Sequence, residues 1–338
     1  MKLLAISDHY IPESLMRAGL DVLQQRGVEI EVRPWEHPTL EELQEANLQI
    51  ELNGPNVIEM PQSMFDGLDQ FDIIVVQFAP VGRKMIEAAT RLRWIGVLRG
   101  GIENIDKPVA DARNVSILNT PGRNARAVAE CTVGLILAEI RNLARSHAEL
   151  RRGNWTRDYP NGMNIPELNG KTVGLVGFGA IARLVAHFLT AFGSKIIAFD
   201  PFAQGNTGNV EMVDLPMLLR DSDVVSIHAR YSKETHHLLG KEQLALMKPS
   251  AILVNTARSG LVDEKALIEC LHNRQIMGAA LDVFDEEPIP PDHPFLMLDN
   301  VTITPHVAGS SIDAFINSPK LWAERAIAEG LVKSEPQS

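Results

Sequence analysis

The segment Val173-Gly174-Leu175-Val176-Gly177-Phe178-Gly179-Ala180-Ile181-Ala182 spaces its glycines in a way that can hold phosphate. Gly177 permits a tight turn after an apolar run, and Gly179 lets backbone N–H groups approach a pyrophosphate. A small residue at 182 allows a following helix to pack close to the strand. Ala182 stands where a third glycine is more usual. Asp200 follows Gly177 by 23 residues, at the end of the run Ile196-Ile197-Ala198-Phe199. That is near the ~20 expected of a carboxylate that accepts hydrogen bonds from an adenosine ribose. Such a carboxylate repels a 2′-phosphate, and Pro201-Phe202 offer no arginine to hold one, so the pattern reads as NAD-binding rather than NADP-binding. A bare tight turn with a surface aspartate is the alternative, and strand, turn, helix, strand and acid in this order weigh against it.

Other reactive side chains follow. Arg258 carries the planar fork that matches a carboxylate, although an arginine after a strand is more often a solvated ion-pair residue. His306, after Thr304-Pro305, is of the one side-chain type that ordinarily titrates near neutrality, although an isolated histidine is more often structural. Asp285, Glu286 and Glu287 are adjacent, and the residues alone leave the choice among them open. The remaining histidines show no metal spacing: His236 and His237 adjoin, and none forms H-E-x-x-H or pairs with cysteine.

The elements that must position these residues form an alternating series. Short β-branched-rich runs at 3–7, 28–32, 72–76, 92–97 and 116–119 read as strands, with helical stretches near 12–26 and 81–90. Residues 125–152 carry apolar residues at three-to-four spacing, including Val128, Cys131, Leu135, Ala138 and Leu143, up to Gly153. This reads as one long helix joining two domains. Runs at 171–176, 195–199, 223–227, 251–254, 277–281 and 301–304 then read as six buried strands, enough for a full dinucleotide-binding sheet. The tail after residue 305 is mostly helical and too short to be a domain, so it must pack back, most simply onto the N-terminal part.

Composition narrows the classes. With 338 residues, two domains are expected. Hydrophobic residues at 45% and charged ones at 22% are those of an ordinary folded protein. A net charge of −11 opposes binding to nucleic acid or to anionic membranes. Cys131 and Cys270 form no CxxC pair or disulfide framework, which fits a reducing cytoplasm. The first apolar run is too short for a signal peptide, and no stretch is apolar for long enough to cross a membrane.

Three segments, taken in order, carry a specific likeness. Ile252-Leu253-Val254-Asn255-Thr256-Ala257-Arg258-Ser259-Gly260 leads to Ala280-Leu281-Asp282-Val283-Phe284-Asp285-Glu286-Glu287-Pro288, and then to Thr304-Pro305-His306-Val307-Ala308-Gly309. Together with residues 97–106, 119–130 and the glycine turn, they resemble the D-isomer-specific 2-hydroxyacid dehydrogenases over nearly the whole chain. The resemblance implies an α/β architecture with a Rossmann-type NAD-binding domain (121–305) inserted in a discontinuous flavodoxin-like substrate domain (1–120 plus 306–338). It also implies homodimers, built largely on the cofactor domains, that act on small 2-hydroxy or 2-keto acids. By motif position it assigns His306 as acid/base, Glu287 as the carboxylate that orients it, and Arg258 to the substrate carboxylate and ketone. Gly177, Phe178, Gly179, Ala180, Ile181, Asp200, His228, Ala229, Thr256, Ala257, Arg258, Asp282, His306 and Ala308 would line the cofactor, with Asp282 near its carboxamide. Around His228, Ala229-Arg230-Tyr231 departs from the family's usual Pro-Leu pair.

In this family a glycine loop of the first domain offers N–H groups to the substrate carboxylate, and here it reads Leu98-Arg99-Gly100-Gly101. Arg99 stands where a small residue is common. It reads either as a second cation that favours a substrate with an extra acidic or polar group, or as a partner of Glu103. The loop Gln77-Phe78-Ala79-Pro80-Val81 lacks the basic residues of phosphoglycerate-specific members, and the chain ends near residue 338, short of their regulatory domain. 3-Phosphoglycerate is therefore disfavoured, with Arg83 or Arg99 the residues left to hold a phosphate. Ser259 replaces a usual glycine. Within enzymes, a phosphite-type dehydrogenase is a rival, whereas Glu287 argues against the formate branch, which carries glutamine there. Outside them, an NAD(H)-sensing, corepressor-like binding protein would keep the same residues.

Overall fold

The computed structural model describes residues 1–162 and 165–332. The chain falls into two units, Met1–Arg123 with the segment from Ser311 onward, and Asn124–Ser310. Both boundaries lie a few residues later than the sequence places them, so His306 belongs to the second unit.

The first unit runs β1 (Lys2–Ser7), α1 (Glu13–Gln24), β2 (Glu29–Pro34), α2 (Leu40–Asn53), β3 (Ile73–Val76), α3 (Arg83–Ala88), β4 (Trp94–Val97), α4 (Lys107–Ala112) and β5 (Ser116–Asn119). Its five strands are parallel in the order β2-β1-β3-β4-β5, the flavodoxin-like order. The central strand Ile73-Ile74-Val75-Val76 is buried throughout, as parallel strands covered on both faces must be.

The second unit holds α5 (Ala125–Ile140), α6 (Leu143–Arg151), β6 (Thr172–Val176), α7 (Ala180–Ala191), β7 (Lys195–Phe199), β8 (Glu211–Met212), α8 (Leu215–Asp221), β9 (Val224–Ile227) and α9 (Lys241–Leu244). β10 (Ile252–Asn255), α10 (Glu264–His272), β11 (Gly278–Leu281) and β12 (Val301–Ile303) complete it. Its seven strands are parallel in the order β12-β11-β10-β9-β6-β7-β8. The order reverses between β6 and β9, which is the doubly wound arrangement of a dinucleotide-binding sheet.

The chain then returns to the first unit through α11 (Ile312–Ile316) and α12 (Ser318–Ala328). Trp322 of α12 is fully buried among Leu3, Leu20, Val75 and Leu118, and its indole N–H donates to the Leu118 carbonyl at 2.8 Å. Gly96 on β4 leaves room for that ring, because a Cβ there would run into the indole. The tail therefore packs onto the N-terminal part, as its shortness requires.

Three readings need correction. The long helix over 125–152 is two helices, because Asn142 takes a left-handed conformation (φ 56°) between them. The Asn142 amide donates to Asn161, and Asn161 donates to the Ile140 carbonyl, so side chains satisfy the broken end of α5. α5 begins beyond the boundary and belongs wholly to the second unit rather than joining the two. Second, a short edge strand, β8, extends the six expected strands to seven. Third, α2 went unread although Thr39-Leu40-Glu41-Glu42 carries a helix-start signature, and the Thr39 hydroxyl does accept from the Glu42 N–H at 3.2 Å. Among the described residues no helix is long and apolar enough to cross a membrane.

Candidate active site

Every residue singled out in the second unit follows the carboxyl end of a strand. The glycine turn follows β6, Asp200 follows β7, His228 and Ala229 follow β9, Thr256 to Arg258 follow β10, Asp282 follows β11, and His306 and Ala308 follow β12. Parallel strands bring these positions to one edge of the sheet, where open α/β sheets bind their ligands.

The nucleotide end of that edge fits NAD. Gly177 is left-handed (φ 91°), and a Cβ there would lie 2.5 Å from the Ala229 nitrogen, so the turn admits only glycine. Gly179 caps α7, and a Cβ there would meet nothing within 4 Å, so open space lies over the helix terminus where a pyrophosphate would rest. Ala182 is fully buried against the sheet. Asp200 accepts from the backbone N–H groups of Phe178 and Phe202, both at 2.8 Å, which ties the carboxylate to the turn it is meant to serve. His228 bonds Ser226 Oγ at 3.0 Å, and burial pushes its pKa down to about 4, so it stands neutral.

At the other end, His306 and Glu287 meet: Nδ1 and Oε2 lie 2.6 Å apart. Glu287 Oε1 also accepts from the Phe284 N–H at 3.0 Å, which fixes the carboxylate. With Nδ1 donating to Glu287, Nε2 is left as the nitrogen that can exchange a proton. His306 is left-handed (φ 52°), an uncommon state for such a residue. Asp282 holds that loop. Its fully buried carboxylate accepts from the Thr304 hydroxyl at 2.5 Å and the N–H groups of Val307 at 2.9 Å and Ala308 at 2.8 Å. Arg258 is exposed and donates to the Ala257 carbonyl at 2.7 Å, with no bond to Glu287 or His306. The neighbouring Asn255 braces the turn, accepting from Ala257 N–H and donating to the Arg258 carbonyl.

A family model described as the NAD-binding domain of D-isomer specific 2-hydroxyacid dehydrogenases matches residues 133–308. A glyoxylate reductase of Thermofilum pendens is 42% identical over 253 residues, covering 73% of this chain and 75% of that protein. The chain belongs to the D-isomer-specific 2-hydroxyacid dehydrogenases. It is an NAD-dependent oxidoreductase of that family. A hydroxypyruvate reductase of Thermotoga maritima is 41% identical over 251 residues, 73% of this chain and 81% of that one. Among solved structures, a D-lactate dehydrogenase with NAD+ from Lactobacillus jensenii superposes with a TM-score of 0.71 at 25% identity, covering 98% of this chain and 97% of that one.

In the first unit of this dehydrogenase the glycine loop follows β4, and Arg99 lies within it, only 7% exposed. Its guanidinium donates to Glu51 at 2.8 Å, to Glu103 at 2.6 Å and to Asn47 at 3.1 Å, and it lies over the Phe78 ring. Of the two readings of Arg99, the structure shows the pairing with Glu103, so it is no free second cation. Gly101 sits under the Glu103 carboxylate, where a Cβ would collide, whereas a Cβ at Gly100 would meet only Pro121 at 3.7 Å.

Two contributions went unread. Thr132 on α5 shares a hydrogen bond with Thr256 at 2.8 Å, tying that helix to the strand end after β10. No spacing marks it, because a lone threonine in a helical repeat reads as helix surface. Asp8, directly after β1, is 7% exposed and also passed unremarked, although an acid closing a buried strand is a signal in itself.

Proposed function

We propose that the dehydrogenase interconverts a small D-2-hydroxy acid and its 2-keto acid, glyoxylate or hydroxypyruvate, with His306 as the acid/base. The observation that carries this reading is the His306–Glu287 pair on a loop held by Asp282 at the sheet edge that also bears the glycine turn. When bound, NAD supplies the carbon that gives or takes the hydride. His306 Nε2 gives a proton to the ketone oxygen in reduction and takes it from the alcohol in oxidation, while Glu287 keeps the ring in one tautomer and one orientation. Arg258 takes the substrate carboxylate through its fork and polarises the ketone, once its side chain leaves the Ala257 carbonyl. Gly100 and Gly101 of the first unit are assigned N–H donation to the same substrate. Arg99 is assigned the support of that loop, because its charge is already met by Glu51 and Glu103.

Names of relatives support the substrate class: proteins 42% and 41% identical are a glyoxylate reductase and a hydroxypyruvate reductase. The pairing of two copies through the second unit belongs to the same proposal. It is supported by Leu143 and Leu150 of α6, Trp155 and Met297, which are all exposed.

The test is NADH oxidation with glyoxylate, hydroxypyruvate, phosphohydroxypyruvate and pyruvate, repeated with His306→Ala. Turnover should fall about a thousandfold in the variant, the scale of a lost general acid. Binding of NADH without turnover of any of these acids would overturn the reading in favour of a sensor.

A further inference from the structure

Ala229-Arg230-Tyr231, where a Pro-Leu pair is usual, and Ser259-Gly260, where serine replaces a usual glycine, lie far apart in sequence and meet in the second unit. A Cβ on Gly260 would lie 2.7 Å from Tyr231 Cε2 and 3.3 Å from Cζ, so the phenol ring rests against the Gly260 backbone. Gly260 directly follows Arg258-Ser259, and the ring therefore covers the turn that carries Arg258. Tyr231 is 46% exposed and belongs to neither core cluster of this unit, so core filling does not explain the contact.

The loop after β9 that brings Tyr231 there is closed on itself. The Thr235 hydroxyl donates to the Arg230 carbonyl at 2.9 Å and accepts from the Ser232 N–H at 2.7 Å. The Tyr231 hydroxyl lies 3.3 Å from His236 Nδ1, the two rings meet edge-on at 6.0 Å, and His236 stacks on His237 at 3.8 Å. His237, left-handed at φ 53°, donates its N–H to the Gly260 carbonyl at 2.8 Å. One loop thus holds Gly260 twice, by a ring against its Cα and by an N–H on its carbonyl. Further on, the Leu239 N–H donates to the Leu261 carbonyl and the Asp263 N–H to the Leu239 carbonyl, both at 3.0 Å. The two segments therefore stay paired whatever stands at position 231.

Arg258 needs such support. Among the described residues its exposed guanidinium makes one bond, to the Ala257 carbonyl, so its direction is set by the backbone of the turn. Asn255 braces the near side of that turn, at the Ala257 N–H and the Arg258 carbonyl. The far side is Gly260, which lacks a Cβ and is the residue there most free to swing, and this is the residue the Tyr231 ring covers. Resting on the role of Arg258 proposed above, we propose that Tyr231 is a positioning residue for Arg258. Its ring confines Gly260, so that the guanidinium fork is presented to the substrate carboxylate in one direction. A fork that bonds through two parallel N–H groups is sensitive to direction, and small misplacements of such groups cost up to ~100-fold in rate.

The experiment measures kcat and KM for glyoxylate or hydroxypyruvate, whichever is reduced faster, in the wild type, Tyr231→Leu, Tyr231→Phe and Gly260→Ala, with NADH affinity from fluorescence titration. Tyr231→Leu is repeated in an Arg258→Lys background. Tyr231→Leu should lower kcat/KM about tenfold, with a higher KM for the keto acid as well as a lower kcat, and with the Kd for NADH within about twofold of the wild type. Tyr231→Phe keeps the ring and should stay within about threefold of the wild type. Gly260→Ala, whose new Cβ must displace the ring, should reproduce the loss with Tyr231 in place. Lysine offers a point charge rather than a directed fork, so in Arg258→Lys the same Tyr231→Leu change should cost less than about threefold. A tenfold loss repeated in that background overturns the inference, because Tyr231 then does not act through Arg258. So does a loss confined to kcat, which a smaller folded fraction would give, or NADH binding that weakens as much as turnover. Unmoved kcat and KM in Tyr231→Leu overturn it too, and all these outcomes leave the role of Arg258 intact. An Arg258→Lys enzyme as active as the wild type, or no turnover of either acid, overturns the role of Arg258 and this inference with it.

Discussion

The two sheet edges of this chain treat their polar groups in opposite ways. At the carboxyl edge of the second unit, Asp200, Asn255, Asp282 and Glu287 all have partners, and most of these are backbone N–H groups of the loops they brace. At the corresponding edge of the first unit, Asp8, Gln77, Arg99 and Asn104 each keep a buried atom without one. A satisfied edge is rigid and presents the same groups at every turnover, which suits a proton donor and a cofactor cradle. An unsatisfied edge stores interactions for a ligand to complete, which suits discrimination between similar molecules.

Acid should drive the two edges apart, and this is the largest effect expected on stability. His228 in the second unit has its pKa lowered to about 4, below its unfolded value, so the unfolded chain takes up the proton first as pH falls. Stability present above pH ~6.5 is lost from there down to about 4, by roughly 3 kcal/mol. Asp8 in the first unit has its pKa raised to about 6, so the folded state takes up the proton first. Its contribution is full below pH ~4 and is lost as pH rises through about 6, again by roughly 3 kcal/mol. Between pH 7 and pH 4.5, protection of strand amides from hydrogen exchange should therefore rise in the first unit relative to the second. Asp8→Asn should remove the rise and His228→Gln the fall. Identical acid responses in the parent and both variants would refute the contrast.

A smaller effect, on rate, tests whether the satisfied edge owes its function to satisfaction. Asp282→Asn keeps the shape but turns an amide N–H toward a backbone donor, Ala308 or Val307, that the carboxylate accepts from. The cost, about 2 kcal/mol, should appear as a fall of some thirtyfold in kcat. Because Asp282 acts through the His306 loop, the pH profile of kcat should move as well. A lower melting temperature with an unmoved profile would reduce Asp282 to a structural residue.

The second edge was far more legible in the sequence than the first. Its chemistry is written in local order, because strand, glycine turn, helix and acid must follow one another for a dinucleotide to fit. The last three motifs sit on consecutive strand ends, so sequence order becomes spatial order. Glu287 and His306 needed the family resemblance, since Asp285 and Glu286 are equally acidic, and the structure then put Nδ1 of His306 against Glu287 rather than against either neighbour. The orphans of the first edge follow β1, β3 and β4, separated by long stretches of chain, and only the fold brings those strand ends to one edge. Arg99 shows the same limit: Glu103, four residues on, was visible as a partner, but Glu51, 48 residues earlier, was not. The break at Asn142 was hidden because the apolar spacing runs through it. The left-handed residue there is held by Asn161, and a periodicity does not record such a distant contact.

The finest test asks whether Asp200 reads the cofactor or merely braces the turn. Its oxygens accept from the Phe178 and Phe202 N–H groups, so Asp200→Ala should loosen the turn whatever else it does. Weaker NADH binding alone is therefore ambiguous. NADH and NADPH share every group except the 2′-phosphate, so a loss of bracing weakens both equally and leaves their ratio fixed. A carboxylate that accepts from the ribose hydroxyls favours NADH and repels the phosphate, and its removal must shift that ratio. Fluorescence titration should show NADH binding about tenfold weaker in Asp200→Ala, near 1.4 kcal/mol, with NADPH changed little or improved. Parallel losses for the two cofactors would leave Asp200 a brace and take the preference for NAD out of its hands.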